Sequence, residues 1–371
     1  MPRSPFPAER RPIWRRAFSL LKFLATAALL AIMVAVMVGF FVQRISAKRD
    51  AVKFPPMGQV IDTGEARLHA QIMGGGGLTV VFDSGLGGTS LDWSLVAPEV
   101  AKHARVVVYD RAGMGWSGPA RAPRDAARVA EELHGLLEAL GVTGPRILVG
   151  HSLAGYHIRM YQARYPEEVA GMVFVDCSHE DQWERLPKDN EFLLRAYPWI
   201  LRGFGLLAEV GGTRPVLPFL GDDTSAGMEA HQAETKSNFF TRPEQFNASA
   251  GEFDAIPESC RQLKASRKPL GDLPIMVLTG MQDKKGDMGK VWLELQNDLA
   301  SMSTRSRHEV LEDAGHYVQA AKPGAVIAAV LEIIGQAGGG HAPAWVPASP
   351  GQSWAPESPY PVLRVESIWG A

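Results

Sequence analysis

The sequence has little of what marks several functional classes. Only 2 of its 371 residues are cysteine, Cys177 and Cys260, too few for a disulfide framework and without the paired spacing of a zinc site. Whether they bridge each other, as an oxidising compartment would permit, stays open. There is no excess of positive charge: 38 Lys and Arg against 40 Asp and Glu give a net charge of -2. A basic footprint is therefore missing, and no nucleic-acid partner is expected. No internal repeat of useful length is visible, which argues against a solenoid. Hydrophobic residues at 46% and charged residues at 21% match an ordinary globular chain, and the length suits one larger α/β domain with added segments.

Long uncharged apolar runs are also scarce, with one exception. Residues 23–42 read FLATAALLAIMVAVMVGFFV, enough at about 1.5 Å per residue to cross a hydrocarbon core of roughly 30 Å. A cleaved signal peptide has a shorter apolar region and a small-residue cleavage site. Ile45-Ser46-Ala47 is a poor version of such a site and basic residues follow at once, which favours an uncleaved, single-pass signal anchor that contacts the lipid bilayer through residues 23–42. Arg3, Arg10, Arg11, Arg15, Arg16 and Lys22 precede the run, against Arg44, Lys48, Arg49 and Lys53 after it. The positive-inside rule then leans toward a cytoplasmic N-terminus and a non-cytoplasmic main domain. The expected organisation is a basic segment 1–22, a transmembrane helix 23–42, a linker 43–57, one domain over 58–336 and a Gly-, Pro- and Ser-rich disordered tail 337–371.

Within the domain, 59–62 and 67–72 are short apolar-rich runs around Thr63-Gly64-Glu65, the pattern of a hairpin. Continuous apolar runs follow at 78–82, 105–109, 146–149, 171–175 and 274–279, which predict strands buried on both faces. Stretches such as 124–140 and 153–164 carry apolar residues at helical spacing. Strand–helix alternation of this kind predicts a mostly parallel, doubly wound α/β sheet. The alternation breaks at about 179–268, where Phe192, Tyr197, Trp199, Phe204 and other apolar residues make a solvated loop implausible. A helical cap inserted over the sheet is expected there.

The run 146–149 enters Gly150-His151-Ser152-Leu153-Ala154-Gly155 and a helical pattern follows. A serine on so tight a strand–turn–helix requires small neighbours two residues away on each side. The stretch resembles the nucleophile elbow of the α/β-hydrolase superfamily, usually G-x-S-x-G, with Ala154 as a mild departure. The resemblance covers roughly 59–336. It implies an eight-stranded-type sheet with an inserted helical cap, Ser152 as nucleophile, and an acid and a histidine later in the chain. Asp283, after the run 274–279, looks like the family acid; Asp176, closing the run 171–175, is the alternative, since some members take their acid after that earlier strand. His316 in Ala314-Gly315-His316 looks like the family histidine. His151, beside the serine, is expected only to pack or hydrogen-bond locally. The loop Asp83-Ser84-Gly85-Leu86-Gly87-Gly88 is similar to the family oxyanion loop, so the implied backbone donors are Leu86 and Leu153.

Tyr109 to Gly118 contains a nominal dinucleotide fingerprint, but Pro119 and Pro123 postpone the helix its glycines should open. It resembles instead the D-R-x-G-x-G-x-S turn of the superfamily. Serine at the elbow argues against the dehalogenase and epoxide hydrolase branches, which use aspartate there. The implied reaction is hydrolysis of a small-molecule, hydrophobic carboxylic ester through an acyl-enzyme, with no metal or organic cofactor required. Amide or carbon–carbon cleavage by the same residues, a non-catalytic ligand-binding protein of this fold, and an NAD-dependent oxidoreductase are the rivals. An acidic pair in the cap would favour an aminopeptidase.

Overall fold

A computed structural model describes residues 13–187, 191–216 and 223–338. The basic segment up to residue 12 and, from 339 on, the tail expected to be disordered lie outside the described residues.

The main domain is built on one sheet of strands β1 (Gln59–Asp62), β2 (Arg67–Met73), β3 (Thr79–Asp83), β4 (Arg105–Tyr109), β5 (Arg146–His151), β6 (Val169–Val175), β7 (Ile275–Gly280) and β8 (Ser306–Leu311). These 8 strands lie in the order β1-β2-β4-β3-β5-β6-β7-β8. β2 pairs antiparallel with β1 and β4, and the other neighbours pair in parallel. β3, β5 and β7 are buried at every residue, because successive side chains enter two layers that are both covered. Val81, Val107, Leu148, Phe174 and Val277 join one layer with Leu133, Leu137 and Tyr161, from the helices Ala126–Ala139 and Ala154–Arg164. Their neighbours Val80, Val106, Ile147, Val173 and Met276 join the other with Trp93, Val326 and Val330, the last two from the helix Pro323–Ala337. Each such large apolar side chain contributes about 1.5–3 kcal/mol on burial, so the carboxyl ends of the strands are held on a stiff platform. The helix Ala126–Ala139 starts where the Asp125 carboxylate accepts from the Arg128 amide, an N-cap that satisfies an otherwise orphaned donor.

Between β6 and β7 the chain is helical: Gln182–Arg185, Glu191–Glu209, Ala230–Phe239, Pro243–Asp254 and Ile256–Ser266. Glu191–Glu209 packs on Pro243–Asp254 through Phe204 stacked on Phe246, centroids 5.7 Å apart, and Tyr197 on Phe253, 5.0 Å apart. Cys177 and Cys260 are both buried free thiols, so the bridge left open by the sequence is not formed.

The apolar N-terminal run is part of a helix of 41 residues, Ile13–Lys53. Residues 43–53, expected in the linker, continue that helix, since no proline interrupts the chain until Pro55. Its most apolar window has mean hydropathy 2.6 and is 0% buried. Only its last turns touch the domain: Gln43 donates to the Thr241 carbonyl at 2.8 Å, Arg214 reaches Gln43 at 2.6 Å and Asp50 at 2.7 Å, and Lys53 pairs with Glu234.

Candidate active site

β5 ends at His151 and the helix Ala154–Arg164 begins two residues after Ser152, leaving Ser152 on a turn with φ of 54°. A non-glycine residue held there is strained by roughly 1–3 kcal/mol and persists only where its surroundings over-determine it. They do: the Ser152 amide donates to the Val175 carbonyl at 3.2 Å, and its carbonyl accepts from the Ser178 amide at 2.9 Å. Crowding explains the glycines. A Cβ on Gly150 would lie 3.0 Å from Ile158 and one on Gly155 2.7 Å from the Cys177 Cβ. Ala154, where the usual motif has glycine, is fully buried.

His316 is carried to Ser152 by the loop after β8. Its Nε2 lies 2.9 Å from Ser152 Oγ and its Nδ1 2.6 Å from Asp176 Oδ2. A carboxylate at Nδ1 fixes the proton on that nitrogen and leaves Nε2 as acceptor, so the serine hydroxyl donates to the ring. The carboxylate against the ring is thus Asp176, not Asp283 as expected. The reason is register. Val175 pairs with Leu278, so Asp176 stands at the lip of the sheet next to the strand that delivers Ser152, whereas Asp283 follows a further turn beyond β7. Asp283 instead accepts from the His316 backbone amide at 3.2 Å and meets Lys284 at 3.2 Å, holding the loop rather than the ring.

Asp176 is itself left-handed, with φ of 46°, and is fully buried. Its Oδ1 accepts from Trp292 Nε1 at 2.8 Å and the Gly280 amide at 3.2 Å, and its Oδ2 also accepts from Lys284 Nζ at 2.8 Å. Burial is the largest single influence and pushes this carboxyl up; the Lys284 ammonium and His316 outweigh it and hold the group below its ordinary value. Nothing in the local pattern of Lys284, in the loop after β7, or of Trp292, in the helix Gly286–Ala300, tells a buried partner from a solvated residue, so sequence reasoning alone misses both.

His151 is buried with its Nε2 2.9 Å from the His316 carbonyl, so that nitrogen donates. It packs under the histidine loop, its ring centroid 4.8 Å from that of His316. Burial drives its pKa down to about 3, with the charge of His316 adding to it, and the ring stays neutral.

Leu86 and Leu153 share with Ser152 and His316 a cavity of about 80 Å³, whose far wall is Trp183, Tyr197, Phe253 and Ile256 from the helical insert. Beneath the loop carrying Leu86 lies a buried ion cluster. Arg111 donates to the Ser84 and Gly85 carbonyls at 2.5 and 2.7 Å, to Asp83 at 2.6 Å and to Glu252 at 2.7 Å. The guanidinium thereby ties that loop to the insert. Asp110 accepts from the Ser90 and Trp116 amides at 2.6 and 2.9 Å. Residues 109–118 form a turn rather than a helix start; the next helix begins only at Ala126.

The sequence model of the α/β hydrolase fold family matches residues 79–323. The chain belongs to that family. An AB hydrolase superfamily protein of Gibberella zeae is 26% identical over 290 residues, covering 68% of this chain and 85% of that one. Among solved structures, a thermophilic esterase from Thermogutta terrifontis is 25% identical with a TM-score of 0.54, covering 73% of this chain and 94% of its own. The epoxide hydrolase CorEH is 17% identical with a TM-score of 0.59, covering 75% and 98%, a likeness of fold. In this α/β hydrolase the elbow position carries Ser152.

Proposed function

We propose that this chain is a serine hydrolase that cleaves a hydrophobic carboxylic ester, with Ser152 as nucleophile, His316 as base and Asp176 as the carboxylate that orients it. The observation that carries this reading is the continuous line of hydrogen bonds from Ser152 Oγ through His316 to Asp176, 2.9 and 2.6 Å long. Ser152 attacks the ester carbonyl as its proton passes to His316 Nε2. The tetrahedral oxyanion is received by the Leu86 and Leu153 amides, donors of a kind worth roughly 3–4 kcal/mol each. His316 returns the proton to the departing alkoxide, leaving an acyl-Ser152; water then attacks with His316 again as base. Asp176 stays ionised throughout and stabilises the imidazolium.

The aromatic and aliphatic wall of Trp183, Tyr197, Phe253 and Ile256 supports an apolar acyl or alcohol group. The acidic pair Glu180 and Asp181 gives no support to an aminopeptidase, since Glu180 is paired with Arg159 and Arg267, and Asp181 with Lys264 and Arg267. The helix Ile13–Lys53 is proposed as a single-pass anchor with the catalytic domain on the non-cytoplasmic side. The test is labelling by a fluorophosphonate probe, which reacts only with an activated serine. Wild type should label, and Ser152→Ala and His316→Ala should not while keeping their circular dichroism. Absence of labelling in folded wild type would refute the hydrolase reading.

A further inference from the structure

The helix Glu191–Glu209 carries an outward apolar face that the described residues leave exposed. Phe192, Trp199 and Leu206 recur every seventh residue and are 85%, 72% and 73% exposed. Leu193, Ile200 and Leu207 form a second row with the same spacing, also exposed. At 3.6 residues per turn these rows lie side by side on one face, with Ala196 and Gly203 between them. Arg202 flanks the face, its guanidinium 5.3 Å over the Trp199 ring. The opposite side, with Pro198, Gly205 and Ala208, is buried. A contiguous exposed apolar face of this kind marks an interaction site.

The helix Ile13–Lys53 says which. Contacts between it and the domain are ordered along its length. Thr241 meets Gln43, Arg214 meets Gln43 and Asp50, and Glu234 meets Lys53. The first element met from the apolar side is the end of Glu191–Glu209: a Cβ on Gly39 would lie 2.5 Å from the Val210 carbonyl oxygen. Gly39 falls inside the apolar run that ends at Val42, about 5 Å short of its end at 1.5 Å per residue. The insert helix therefore reaches the anchor at the level where hydrocarbon gives way to headgroups. Its buried side rests on Pro243–Asp254, which leaves its apolar side turned away from the domain.

We infer that the helix Glu191–Glu209 lies in the interfacial layer of the bilayer that the proposed anchor crosses, with Phe192, Trp199 and Leu206 set among the acyl chains. An amphipathic helix held in this way buries its apolar face roughly 5–10 Å into the headgroup boundary, and Trp and Arg are suited to that depth. The same helix contributes Tyr197 to the wall of the catalytic cavity. The bilayer and the cavity are thus on two sides of one helix, and the substrate class is an ester dissolved in the membrane. The inference rests on the anchoring and hydrolase readings proposed above.

Depth-resolved quenching of the full chain in phosphatidylcholine and phosphatidylglycerol vesicles tests it. Single cysteines, Trp199→Cys, Leu206→Cys, Val34→Cys in the anchor and Lys290→Cys on an exposed helix, carry an environment-sensitive dye; the buried native thiols leave wild type as the blank. Lipids with a shallow or a deep nitroxide should cut emission at positions 199 and 206, the shallow one more. Val34→Cys should show the reverse order, and Lys290→Cys neither. Loss at 34 without loss at 199 and 206 keeps the anchor and overturns the interfacial helix. Self-quenching at 199 that grows with protein density, without lipid quenching, assigns the face to a second copy and also overturns it. Loss at 199 and 206 without loss at 34 keeps the interfacial helix and removes the span. In parallel, Trp199→Ser with Leu206→Ser should lower turnover of a vesicle-embedded long-chain ester several-fold while a water-soluble short ester is hydrolysed as by wild type. Equal loss on both would overturn the substrate class, and no turnover of either by wild type would refute the hydrolase reading instead.

Discussion

Replacing Asp176 by Asn separates the two carboxylates near the histidine, because only one of them touches the imidazole ring. In the native site Asp176 Oδ1 accepts from Trp292 and the Gly280 amide, while Oδ2 accepts from Lys284 and from His316 Nδ1. An asparagine there keeps the Trp292 and Gly280 donors on its one oxygen and leaves Lys284 facing the amide NH₂. The amide NH₂ is then turned toward His316, where it can only donate. The ring responds by moving its proton to Nε2, which points a hydrogen at Ser152 and removes the base. A wrong tautomer of this kind costs about 10⁴ in kcat in a serine protease, or about 5 kcal/mol of transition-state stabilisation. Asp176→Asn should therefore lower kcat/KM for a p-nitrophenyl ester by about 10³ to 10⁴, with KM little changed. Asp283→Asn removes one acceptor of a backbone amide and should cost less than about tenfold, since a net hydrogen bond is worth about 1 kcal/mol. Stability must be followed as well, because Lys284 would keep its charge in a buried site; pairing the change with Lys284→Met removes that penalty without restoring activity. If Asp283→Asn were the more damaging of the two, the assignment of Asp176 would be wrong and the hydrogen-bond geometry would not reflect the working site.

Three further outcomes follow from the same geometry. His151 titrates at about 3 in the fold against an ordinary 6.5, so the unfolded chain binds the extra proton between those values; its contribution is fully present above pH 6.5 and lost as pH falls below it. At about 1.36 kcal/mol per unit the loss by pH 5 is about 2 kcal/mol, and His151→Gln should flatten the fall in melting temperature between pH 7 and pH 5; an unchanged slope would mean the ring is not the titrating group. Gly155→Ala sets a methyl 2.7 Å from the Cys177 Cβ and should destabilise by about 1–3 kcal/mol, read as a lower urea midpoint at constant slope; wild-type stability would contradict the packing. Arg111→Gln leaves the buried Asp83 with His157 alone at 3.0 Å and the buried Glu252 with Arg124 at 4.0 Å, at a cost of up to about 3–5 kcal/mol, and frees the Ser84 and Gly85 carbonyls, so both the melting temperature and kcat should fall; a drop in neither would mean the cluster does not hold the loop carrying Leu86.

How much of this was legible in the sequence depends on whether the information was local. The hairpin, the parallel strands and the elbow serine declare themselves within ten residues, because a strand buried on both faces must be continuously apolar and a tight turn must be small on both sides. Arg111 lay inside a turn already recognised, but its partners, Asp83 and Glu252, are far along the chain in different elements, and no spacing rule links them. The choice between Asp176 and Asp283 was undecidable in the same way. Both follow parallel strands that end side by side, and only the register of Val175 against Leu278, together with the path of the loop after β8, decides which carboxylate meets the imidazole ring.

The apolar residues of the insert show a different kind of limit. Apolar residues such as Phe192 and Trp199 predict packed helices, and packed helices are there, yet Phe192, Trp199 and Leu206 face outward. Periodicity reports that a helix has an apolar face; it does not report whether protein or lipid covers it, since both reward the same side chains. What distinguishes the two is the second element: a long exposed apolar helix whose first contact with the domain, at Gly39, is the end of that very insert helix. The bilayer proposed above accounts for both apolar features of the sequence at once.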